Sequence, residues 1–154
     1  MRDFVSHLGC ENMVAFESDR YFQVWSLGHS HDALMLRSNP SWMDNSTTRI
    51  EICAWHVEAL MIKPRMQGLR IARATGDEHE AACRRFGIEA DAGSLFLLEA
   101  QGFTGFLVSG TPQWREAVRE LGDPSLFAFR VRDIEQDEGR MEETASEVTV
   151  ANID

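Results

Sequence analysis

The sequence predicts an α+β fold: a mainly antiparallel sheet of seven or eight short strands, open or curled into a half-barrel, with two short helices. Three observations predict it. Short apolar segments alternate with period two, as half-buried strands do. Most connections between them are too short for the crossover that a parallel pair needs. Two other segments carry helix-capping signals. A chain of 154 residues, 44% hydrophobic and 26% charged, has ordinary globular composition and fits one domain.

Arg20 to Ser26 and Ala33 to Ser38 flank Leu27-Gly28-His29-Ser30-His31-Asp32, whose glycine and polar residues suit a hairpin loop. Asn39 to Thr47 is rich in turn formers and reads as a loop. Arg49 to Cys53 then alternates cleanly, and Val57 to Ile62 continues apolar. Pro64 to Gly68 supplies a turn before the alternating Leu69 to Arg73. Asp77 and Glu80 have the spacing of a capping box, which predicts a helix over Glu78 to Phe86 stopped by Gly87. Ser94 to Gln101 and Phe103 to Ser109 read as a hairpin about Gly102, with Phe96, Leu98, Phe106 and Val108 inward. Thr111-Pro112 suits an N-cap and first helical position, and Trp114, Val118 and Leu121 make an apolar stripe ended by Gly122. Ser125 to Val131 closes the pattern as a strand.

The formal charge of −10 is uneven. Residues 133–154 hold eight acids and one base, a net of −7, which leaves −3 on residues 1–132. This divides the chain into a globular domain, 1–132, and an acidic C-terminal tail, 133–154. Bases are scattered, with one lysine beside fourteen arginines, so a nucleic-acid partner is not expected. Nothing near the N-terminus resembles a secretory signal, and no run approaches the ~18 apolar residues that span a bilayer. Cys10, Cys53 and Cys83 form no CxxC pair, as suits a reducing compartment. A cytoplasmic protein without a membrane partner is the expectation.

His29, His31 and Asp32 are the sharpest local feature, because imidazoles at i and i+2 of an extended chain project to one side and with a carboxylate can ligate a metal. The set is incomplete: a catalytic site needs at least three protein ligands converging on an open position, and His56 is the first candidate from elsewhere in the chain. Cys53 and His56 invite a thiol-nucleophile reading, but on an extended chain they stand ~10 Å apart and face opposite ways. No catalytic set is complete and no cofactor is implied.

If Val24, Leu34, Leu36, Ile50 and Ile52 face the core, then Tyr21, Trp25, Met35, Arg37, Arg49 and Trp55 share the other sheet face with Gln23, Glu51 and Cys53. Aromatics, Met and Arg without Lys are enriched where proteins meet. The same face can equally be covered by the chain's own elements. The sequence therefore favours a non-enzymatic protein-interaction module, its partner another protein or a second copy in a homodimer, with an antidote-like role of masking a basic partner. The alternatives are a metal-dependent hydrolase centred on His29, His31 and Asp32, and a half-barrel that binds a small apolar ligand.

Overall fold

In the computed structural model, which describes residues 14–28, 32–127 and 148–154, the longest strand is β1, Val14–Leu27. Its C-terminal part pairs with β2 (Leu34–Ser38), and residues 14–23 pair with β5 (Arg65–Arg73). Beyond β2 lie β3 (Thr48–Ala54), β8 (Gln113–Val118) and β9 (Thr149–Asn152). Beyond β5 lie β6 (Ser94–Ala100), β7 (Phe103–Ser109) and the short β4 (Ala59–Met61). Among the described residues the result is an open nine-stranded sheet in the order β4-β7-β6-β5-β1-β2-β3-β8-β9, with every pairing antiparallel.

The sheet folds over itself. Strands β1 and β8 are three places apart, ~14 Å in a flat sheet, yet the rings of Phe16 and Trp114 approach to 5.8 Å between centroids. Register shifts in β1 between Ser18 and Tyr21 and between Val24 and Ser26 mark where it bends. Phe22, Leu34, Ile52, Leu69, Ile71 and Phe96 fill the concave side from both flanks. The concave side of the sheet is thus filled by the chain's own side chains.

The one helix among the described residues, α1 (Gly76–Phe86), packs Ala82 against a second cluster of Leu95, Leu97, Phe106 and Val108 on the other face of β6 and β7. Its capping box lies two residues earlier than the spacing of Asp77 and Glu80 suggests. The Thr75 hydroxyl accepts from the Glu78 amide at 3.3 Å, and the Glu78 carboxylate accepts from the Thr75 amide at 3.0 Å. Gly87 closes the helix in the left-handed region, at φ 65°.

Three expectations are corrected. The second helix, over Thr111 to Gly122, is β8: Trp114 pairs with Ile52 and half-buries its indole against the core. Val118 and Leu121, expected beside it, are 56% and 71% exposed. In the β6–β7 hairpin, Phe96 pairs with Leu107 and Leu97 with Phe106. Phe96 and Leu98 therefore face the main core, whereas Phe106 and Val108 face α1. A two-residue turn at Gln101-Gly102 pairs even positions with odd ones, so the even-numbered set divides between the faces. Finally, Ser125 to Phe127 form no strand; the rest of that expected strand, 128–131, lies outside the described residues.

The C-terminal stretch read from its charge as a tail contributes β9, and Ile153 behind it is fully buried, its amide donating to the Pro112 carbonyl at 2.8 Å. Asp154 bridges to Arg73 at 2.5 Å. Residues 133–147 lie outside the described residues.

Gly105 makes the edge of the sheet possible. A methyl group there would run into the Met61 carbonyl and the Phe103 ring. Gly105→Ala is therefore expected to cost ~1–3 kcal/mol in urea unfolding and to expose the β4 amides to hydrogen exchange.

Candidate functional site

The face of β2, β3 and β8 turned away from the core carries a buried ion cluster. Cross-strand pairing sets Arg37 beside Glu51 and Glu51 beside Arg115. Arg37 Nη2 lies 2.9 Å from Glu51 Oε1, and Arg49 Nη1 lies 3.4 Å from the same oxygen. The other Glu51 oxygen accepts from the Ser125 hydroxyl at 2.6 Å and the Leu126 amide at 2.9 Å. Arg49 donates to the carbonyls of Asp123 at 3.1 Å and Pro124 at 3.0 Å, and to that of Glu120. Arg115 donates to the Leu126 carbonyl at 2.7 Å and lies 4.3 Å over the Phe127 ring, which meets Trp55 edge-on at 5.7 Å.

Residues 119–127 therefore lie across this face. Arg49 and Glu51 are fully buried and Arg37 nearly so, which places two of the sequence-selected residues inside the fold. Burial lowers the Arg37 pKa from its ordinary value, against the opposing pull of Glu51. Met35 and Trp55 are half-buried. Tyr21 and Trp25 remain exposed, Trp25 with the Arg37 guanidinium 3.9 Å over its ring.

His29 and His31 lie outside the described residues. Asp32 is exposed at φ 46°, and its carbonyl accepts from the Val57 amide at 3.1 Å, which ties the hairpin loop to the β3–β4 connection. Among the described residues no three His, Cys, Asp or Glu side chains gather as a metal site. Cys53 is buried, whereas His56 is exposed at φ 54°. Burial, then the charge of Glu51, raises the Cys53 thiol to about 11.

This thiol is expected to resist alkylation at pH 8 in the native protein and to react once urea unfolds it, as mass spectrometry of the Cys53 peptide would show. The linkage has a definite sign. The folded state keeps its proton longer than the unfolded state, so this group's contribution to stability is whole below the ordinary thiol range and is lost as pH rises through about 11.

A different constellation surrounds Arg20, which sequence reading passed over. Arg20 is nearly buried where β1 bends; its Nε donates to the Ser38 hydroxyl at 3.1 Å and Nη1 to the Thr48 hydroxyl at 3.0 Å. Nη2 reaches the carbonyls of Asn39 at 3.3 Å and Thr48 at 2.5 Å. The Thr48 hydroxyl in turn donates to Glu116 at 2.7 Å. Burial lowers the Arg20 pKa, with Glu116 the largest opposing influence. One guanidinium thus clamps both stems of the β2–β3 loop.

The loop itself is built. Ser41 and Ser46 exchange backbone hydrogen bonds at 3.2 and 3.0 Å, and the Asn45 amide donates to the Trp42 carbonyl at 3.2 Å. The Met43 amide donates to the Ser41 hydroxyl at 3.2 Å, and Asp44 accepts from the Tyr21 amide at 3.3 Å. On this framework Trp42 is 89% and Met43 77% exposed. The available sequence signal was a Trp-Met pair inside a run of turn formers.

Beside the clamp, an open groove of about 390 Å³ runs between β1 and β8, with Phe16, Ile50 and Trp114 as its apolar part and Glu17 and Glu116 at its rim. No described helix is long and apolar enough to cross a membrane. Comparison with protein-family models, curated proteins and solved structures finds no match.

Proposed function

We propose that this protein is a non-enzymatic interaction module whose contact element is the β2–β3 loop, with Trp42 and Met43 entering a pocket on a protein partner. The observation that carries this reading is the exposure of two large apolar side chains on a turn whose backbone is already hydrogen-bonded and clamped by Arg20. Burying such a side chain gains ~1.5–3 kcal/mol, and a preformed turn loses little further entropy on binding. Trp is enriched among residues that dominate interfaces, and Met adapts its shape to a pocket.

The surroundings indicate the partner's charge. Asp44 in the loop and Asp19 on β1, both close enough to act on Arg20, place acids at the loop, which suits a pocket with a basic rim and opposes two copies meeting tip to tip. Masking a basic partner, as an antidote does, fits this arrangement.

The test is site-specific photocrosslinking in the producing cells, with a benzophenone amino acid at position 43 and, as control, at the exposed Leu121. The expected result is a discrete adduct to one basic protein from position 43 alone, weakened by Trp42→Ser. Adducts shared by both positions, or none at 43, would overturn the reading.

A further inference from the structure

We infer that the groove between β1 and β8 takes an extended segment of a protein partner as an added strand on the free edge of β1. The inference rests on the reading as an interaction module, but not on the loop tip. Residues 14–22 of β1 pair with β5 on one side only; pairing with β2 begins at Gln23. Among the described residues no strand occupies the other side of that stretch. Ala15 to Ser18 of this stretch line the groove together with Arg20.

Edge strands that are not meant to pair are usually short, charged throughout or covered. This edge has instead a groove beside it, whose floor is the buried Phe16 and Ile50 and the half-buried Trp114. Phe16, Ile50 and Trp114 belong to the concave side, so a strand laid along β1 would set alternate side chains down on them. Its intervening side chains would stand beside Glu17, which is exposed. Arg20 does not reverse this preference, because its donors are taken up by Ser38, Asn39 and Thr48. Glu116, at the groove's end, is engaged by Thr48 and Arg20, so Glu17 carries the charge preference. The occupant is accordingly an extended segment that alternates apolar and basic residues. An enclosed ligand pocket would need no free backbone edge.

The probe is the blocked hexapeptide Lys-Val-Lys-Val-Lys-Val, titrated into the isotope-labelled full chain and followed by amide NMR. In the free protein the amides of the β1 edge should exchange readily with solvent. The peptide should shift the amides of Ala15 to Asp19 and the Trp114 indole signal. A peptide with proline at the fourth position, which cannot complete the ladder, and one with Glu for every Lys should each bind about tenfold more weakly. Glu17→Lys should invert the preference between the Lys and Glu peptides. Edge amides already protected in the free protein, shifts absent from that stretch, or equal binding of the proline peptide would each overturn the inference. These amide shifts report the groove, whereas adducts at position 43 report the tip, so the two readings fail separately.

Discussion

Replacing Glu51 with Gln is expected to destabilise the fold by ~3–5 kcal/mol, read as a lowered urea midpoint at unchanged slope. The carboxylate is the only anionic side chain within ion-pair distance of Arg37 and of Arg49 among the described residues, and both cations are buried. Glutamine can still accept from Ser125 and Leu126, but it leaves two guanidinium charges desolvated without a counter-charge. The loss should extend to residues 119–127, whose carbonyls Arg49 holds. A change below about 1 kcal/mol would mean that water reaches the cluster and screens it.

Phe22→Ala is expected to cost ~3–5 kcal/mol. Phe22 is wholly buried on β1 between the two flanks of the folded sheet, edge-on to Phe16 at 6.0 Å. Its removal opens a cavity where the curl has least freedom to collapse, because β1 belongs to both flanks. Leu121→Ala is the informative contrast. A helical stripe would make Leu121 core, whereas the exposed position it occupies predicts a change within ~0.5 kcal/mol.

Local patterning made most strands legible. The β1–β2 and β6–β7 hairpins, β3 and α1 follow from alternation, turn residues and the stop at Gly87, all of which act over a few residues. The failure at β8 has a physical cause. Glu116 sits on the inward side of the strand, where alternation calls for an apolar residue, because that end of the core is the polar clamp of Arg20 and Thr48. With alternation interrupted, the spacing of Trp114, Val118 and Leu121 imitates a helix. Pairing with β3 then overrides local propensity.

The candidate site was less legible for a related reason. Arg37 and Arg49 have the composition of an interface, but whether a sheet face meets a partner or its own chain depends on a segment about 75 residues downstream, the loop that carries Ser125. The exposure of Trp42 depends on Arg20 fixing the loop stems, again a contact distant in sequence. Composition within Asn39 to Thr47 announces a turn and says nothing of what that turn presents.

On the proposed reading, Trp42 and Met43 are held in water by the fold for a partner to bury. The most direct test of that reading is the affinity of the purified crosslinking partner for the wild type and for the Trp42→Ser/Met43→Ser double variant, with thermal melts of both. The expected result is a loss of about a hundredfold or more in affinity with an unchanged melt. Affinities within about threefold of each other would contradict it.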